Sequence, residues 1–104
     1  MIPLSENNEI TAMNTVSIVG YEEDGHCEHC GRALRHCIRI SDGRVVGATC
    51  FDKKITKPQS YNGKSFRIGS EGIIRYAKMA QFWSEEKRAR NGVYPHMLTF
   101  NLAE

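Results

Sequence analysis

The stretch that most restricts what this chain can fold into is Cys27-Glu28-His29-Cys30-Gly31. Two thiolates three positions apart, followed by glycine, can turn around one metal ion with their backbone N–H groups aimed at the sulfurs. Zinc takes four such ligands in a tetrahedral array, so further donors are expected downstream. Four cysteines are present: Cys27, Cys30, Cys37 and Cys50. The opening MIPLSENNEITAMN has neither the basic nor the apolar region of a secretory signal, which predicts a cytoplasmic protein whose thiols stay reduced. Metal ligation is then the first explanation to try for the cysteines.

A chain of 104 residues holds a single core. Residues 1–13, dominated by Asn and Glu, read as a poorly ordered leader, and 14–104 as one small domain. Within it, 15–57 form a zinc module and 58–104 a helical half. No apolar run approaches the roughly 18 residues that span a bilayer, so no membrane role is expected.

Thr15–Tyr21 is rich in β-branched residues and predicts a strand leading to the knuckle, with Glu22–Gly25 as an acidic turn. Leu34–Ile40 alternates, placing Leu34, His36, Ile38 and Ile40 on one face and Arg35, Cys37 and Arg39 on the other. Ser41-Asp42-Gly43-Arg44 is a hairpin turn, after which Val45–Gly47 returns antiparallel. Thr49 is placed to cap a short helix, with Asp52 three residues on, and Lys57-Pro58 ends that helix. Asn62-Gly63 marks a second tight turn. Ser70 then opens one long helix with Glu71 in its first turn and Lys87, Arg88 and Arg90 in its last turns, the polarity a helix dipole favours. Ile73, Tyr76, Ala77, Ala80 and Trp83 form its apolar stripe. Met97–Leu102 adds a final strand. The expected class is α+β, a zinc-stabilised β-hairpin and short helix packed with one long C-terminal helix and flanking strands.

Cys50, in the first turn of the predicted short helix, is the third ligand, since a helix N-terminus favours the thiolate. The fourth is Cys37, with His36 as the alternative because the alternation puts it on the apolar face. His26, His29 and His96 read as loop or surface residues. Knuckle, hairpin and a ligand at a helix start resemble the treble-clef type of zinc finger. The pattern C-x2-C-G-R-x-L at Cys27–Leu34, followed by Gly47, Cys50 and Lys53, is also similar to short phage and bacterial proteins of unassigned role. That resemblance covers about residues 15–57. It implies a metal-centred fold and a mobile-element origin, but no activity. The chain departs from the treble-clef pattern at position 53, where a second helix-borne ligand is usual and Lys stands here.

One zinc per chain in a closed site of Cys and His predicts a binding module rather than an enzyme. Cys-Glu-His-Cys also matches a redox motif, but such motifs precede a long helix, whereas a hairpin follows here. Net charge is only +2, yet residues 1–31 carry six acids and no Lys or Arg, while 32–104 carry all 14 cations against the other six acids. The basic residues Arg32, Arg35, Arg39, Arg44, Lys53 and Lys54 point to phosphate contacts, with Phe51, Tyr61 or Phe66 as stacking surfaces for a nucleic acid. A second expectation is a protein partner, such as a host enzyme, docking on the C-terminal helix. Phe82 and Trp83 stand about 100° apart on that helix and cannot both face one core. No small-molecule substrate is inferred.

Overall fold

The computed structural model describes residues 14–103, so the expected leader at 1–13 lies outside the described residues. Its centre is a four-stranded antiparallel sheet ordered β3-β2-β1-β6. The strands are β1 (Thr15–His26), β2 (Ala33–Ile40), β3 (Val45–Gly47) and β6 (Thr99–Asn101). A separate two-stranded ribbon is made by β4 (Gln59–Tyr61) and β5 (Lys64–Phe66). Asn62 and Gly63 connect them with φ of 53° and 77°, the doubly left-handed turn that Asn-Gly specifies.

β1 is longer than its β-branched run. The expected acidic turn at Glu22–Gly25 is instead strand, because Glu22, Glu23 and Gly25 pair with Cys37, His36 and Leu34 of β2. Backbone pairing overrides the low strand propensity of the acids, and Asp24 accommodates the ladder with φ at 55°. A bulge between Ile18 and Gly20 shifts the register.

After β3 the chain enters α1 (Ala48–Cys50), which widens into a π-helical turn over Phe51–Ile55. The turn closes where the Thr56 N–H and hydroxyl both donate to the Phe51 carbonyl, at 3.1 and 2.7 Å. Gly47, not Thr49, stands at the helix N-cap, and Thr49 makes no capping bond. Asp52, buried, accepts instead from the Gly69 N–H at 3.2 Å. It thereby serves the start of the next helix, α2 (Ser70–Phe82), whose N-cap is Gly69 rather than Ser70.

The expected single C-terminal helix is two. α2 stops at Phe82, Trp83 is extended, and α3 (Glu85–Arg90) starts afresh. Ser84 explains the break: its side chain accepts from the Lys87 N–H at 3.0 Å, a local bond that competes with continuing the first helix. Arg88 then folds back and donates to the carbonyls of Met79, Ala80 and Trp83, satisfying the frayed end of α2. A 3-10 turn, Pro95–Leu98, leads into β6.

The core lies between the sheet and the helical segments. Ile18, Ile38, Ile40 and Val46 face Phe51 and Ile55 of the π turn and Ile73 and Ala77 of α2. Phe51 meets Phe100 edge-on with ring centres 5.2 Å apart. No helix among the described residues is long and apolar enough to cross a membrane.

Candidate metal centre

The knuckle forms where β1 runs out. The Cys27 N–H donates to the Arg32 carbonyl at 2.9 Å, and the Gly31 N–H donates to the Cys27 carbonyl at 2.6 Å. Gly31 takes φ of +81°, a conformation any side chain would strain, which is why glycine follows the second cysteine. Glu28 fastens this turn to β3: its N–H donates to the Val45 carbonyl at 2.8 Å, and its carboxylate accepts from the Val45 N–H at 2.9 Å. In the sequence Glu28 is only the residue between two possible ligands, and nothing there marks it as the strut.

β3 brings Gly47 against the knuckle, and α1 delivers Cys50 three residues later. The Sγ atoms of Cys27, Cys30 and Cys50 all lie within 4.8 Å of one another. Sulfurs bound to one tetrahedral zinc at about 2.3 Å stand about 3.8 Å apart, so the three donors fit such an ion. Cys27 and Cys50 are buried and Cys30 is exposed.

The electrostatics of the cluster favour a cation. Burial opposes ionisation of Cys27, but N–H groups of Gly47, Cys30 and His29 and the Cys30 thiol donate to its sulfur, bringing its pKa down to about 7. Cys50 is pushed up to about 12 by burial, followed by its contacts with Cys30 and Cys27. One negative charge is welcome here and a second is resisted, because the sulfurs share a confined space. A divalent ion removes that resistance, and with it the three thiolates become mutually compatible.

Cys37, the expected fourth ligand, does not join the cluster. It is fully buried, its Sγ 3.3 Å from where a Cβ on Gly25 would stand. Burial raises its pKa, countered in part by a bond from the Gly25 backbone, with the neighbouring Cys27 adding to the rise. The alternation put it on the wet face, where Arg35 and Arg39 are indeed exposed, but Cys37 itself is buried against Gly25 of β1. His36 is outside the cluster too, its Nδ1 paired with the Tyr21 hydroxyl. Among the described residues three ligands come together, not the four of a closed site.

Beside the cluster opens a cavity of about 430 Å³, walled by Cys30, Cys50, Leu34 and His36 and by the cations Arg32, Arg35, Lys53 and Lys54. Among the described residues no Asp or Glu lines it. Arg39 and Arg44, expected on the same binding surface, are engaged elsewhere. Arg39 donates to the Gln81 side chain of α2, and Arg44 pairs with Asp42 at 2.8 Å in the hairpin turn. Of the expected stacking rings, Phe51 is fully buried and unavailable, whereas Tyr61 and Phe66 are 70% and 44% exposed. They share one face of the β4–β5 ribbon with Lys64, since Gln59 pairs with Phe66 and Tyr61 with Lys64.

On the α2–α3 joint, Phe82 is 68% exposed, with its ring 6.3 Å from that of Tyr21. Trp83 is half-buried under the Lys87 ammonium, 4.6 Å from the ring centre.

No family model, curated protein or solved structure matches the chain. The treble-clef likeness therefore stands on the order of knuckle, hairpin and helix-borne thiol alone, and the likeness to phage and bacterial proteins on the motif alone.

Proposed function

We propose that this chain is a zinc-stabilised, treble-clef-like module that binds nucleic acid along the basic cavity beside its metal. The observation that carries this reading is the convergence of Arg32, Arg35, Lys53 and Lys54 on one concave wall beside Cys30 and Cys50, with no acid among its described residues. The metal holds β1, β2–β3 and α1 together, and so sets the spacing of the four cations. Tyr61 and Phe66 on the β4–β5 ribbon offer faces on which unpaired bases stack. The module acts as a binder rather than an enzyme, in a reducing cytoplasm that keeps its four cysteines out of disulfides, and the motif is in keeping with a mobile-element source.

The test is binding of a fluorescent single-stranded oligonucleotide to the zinc-loaded chain across a salt series. Four phosphate contacts give a log K against log salt slope of about −3. Arg35→Glu with Lys53→Glu should abolish binding while leaving the metal content at one per chain. Salt-independent affinity, or affinity untouched by both reversals, refutes the reading.

The exposure of Phe82 favours a second reading, a protein that docks on the α2–α3 joint. Under it Phe82→Ala removes partner binding and the charge reversals do not.

A further inference from the structure

The cysteine cluster and the basic cavity share two residues, Cys30 and Cys50. Zinc has four coordination positions. Three are accounted for by Cys27, Cys30 and Cys50, and no fourth Cys, His, Asp or Glu among the described residues comes into the mutual cluster. Two of the three ligands, Cys30 and Cys50, are themselves part of the cavity wall, so the cluster borders the cavity on one side while Cys27 and Cys50 pack into the core on the other. Its volume of about 430 Å³ falls within the range of sites that take small ligands, roughly 300–1,000 Å³.

Charge selects what enters. Three thiolates around a divalent ion carry a formal charge of minus one, which alone would repel an anion. The four cations on the same wall reverse that sign, and no carboxylate among the described residues there opposes them. A neutral or cationic donor gains nothing from such a wall. An oxygen anion with several negative charges gains from both the metal and the guanidinium forks of Arg32 and Arg35.

We propose that the metal of this chain keeps an open fourth position, and that it is filled from the cavity by an oxygen of a phosphate monoester or free phosphate. This inference rests on the metal-binding part of the function proposed above. It narrows the ligand from a phosphate backbone in general to the dianionic terminal phosphate, whose charge the wall is built to offset. The two sources of that group, free phosphate and the phosphorylated end of a strand, share the same chemistry at the metal.

The experiment replaces zinc by cobalt(II) in the reduced full chain under anaerobic conditions and follows the visible d–d bands, which respond to the fourth donor. Inorganic phosphate is titrated first. Oligonucleotides differing only in a 5′-phosphate or 5′-hydroxyl follow. The expected result is a saturable band shift with inorganic phosphate and with the phosphorylated strand, but none with the hydroxyl strand. A shift with inorganic phosphate alone still supports the open position and assigns it to the free anion. Lys53→Ala with Arg35→Ala should raise the phosphate concentration needed by about tenfold or more, with the cobalt stoichiometry unchanged. Bands that ignore every anion while cobalt is bound overturn the inference and leave the metal site standing. Bands altered by His36→Ala in the absence of phosphate overturn it as well, since the chain then supplies its own fourth ligand. Failure to bind cobalt at all removes the metal reading and this inference together.

Discussion

Gly47 is the position where a single methyl group should do the most local damage, and the damage is calculable. A Cβ placed there would stand 2.5 Å from Leu34 Cδ1 and 3.8 Å from both Cβ and Sγ of Cys27. Carbon atoms in contact settle at about 3.5–4.0 Å, so Leu34 must retreat by about 1 Å, while Cys27 is untouched. The backbone is not the obstacle, since Gly47 has φ of −73° and ψ of 150°, which alanine adopts freely. Overpacking costs about 1–3 kcal/mol. Leu34 is half-buried and borders the open cavity, so it has somewhere to go, and the lower end, about 1 kcal/mol, applies to Gly47→Ala. Leu34→Ala in the wild-type background loses part of a core leucine, about 1–2 kcal/mol. Combined, the two changes remove the clash that made the first one costly, so the double variant should be about 1 kcal/mol more stable than the sum predicts. Urea unfolding of the four metal-loaded proteins measures this coupling. Additivity within about 0.5 kcal/mol would show that close approach to Leu34 is not why glycine stands between the hairpin and α1.

Cys27→Ser and Cys50→Ser should each lose the metal and the folded β1–β3 region, whereas Cys37→Ser should keep one metal per chain by native mass spectrometry; the opposite pattern would put Cys37 in the ligand set. Arg88→Ala removes a donor from three carbonyls at the end of α2, of which, among the described residues, Met79 alone keeps another, the Trp83 N–H, and for a half-exposed guanidinium the loss is about 2 kcal/mol, read as a thermal midpoint lower by roughly 8–16 °C. A midpoint unchanged within a degree would mean those carbonyls are equally content with water. Asp42 resists ionisation through partial burial, but its bonds to the Arg44 side chain and N–H outweigh this and hold its carboxyl below the ordinary value. Its contribution is therefore present above the unfolded-state pKa and fades as pH falls through the lower folded one, and in Arg44→Ala the NMR titration of Asp42 should move back up.

Where an element is decided by its own residues, the sequence was a good guide. Alternation in Leu34–Ile40, the Ser41–Arg44 turn, the Asn62-Gly63 turn and the helical stripe from Ile73 are local signals; β2 and both turns stand where they put them, and the helix does so as far as Phe82. The knuckle and Cys50 converge as spacing and helix-start chemistry suggested. What escaped depends on partners far along the chain. Glu22–His26 is strand because β2 offers it a ladder, not because its residues favour extension. Cys37 lies on the wet face that the period-2 pattern assigns, with Arg35 and Arg39 exposed beside it, yet it is buried where Gly25 of β1 comes close to its sulfur. Asp52 stands in the sequence as a helix-start acid for Thr49, yet its partner is Gly69, 17 residues on. The break at Trp83 did have a local sign: Ser84 followed by Glu85, Glu86 and Lys87 is an N-cap sequence inside a helical run. The surplus of cations after position 31 was visible, but which of them share a wall was not, because Arg39 and Arg44 differ from Arg35 only in the partners the fold assigns to them.

The unequal lengths of the sheet's strands have a consequence for how this protein behaves at high concentration. β6 pairs with β1 only over Thr15–Ser17, so the flank of β1 beyond it has no neighbouring strand among the described residues. Such a flank is a template on which another chain can add. Near its start the Gln81 side chain accepts the Tyr21 N–H, occupying one rung. Farther along come Glu22, Glu23 and Asp24, the last in a left-handed conformation that spoils a flat ladder. A second molecule zipping on antiparallel would set acid against acid at each step. These three acids thus act as a fender on the longest strand, and neutralising them should raise the tendency of the protein to stick to itself.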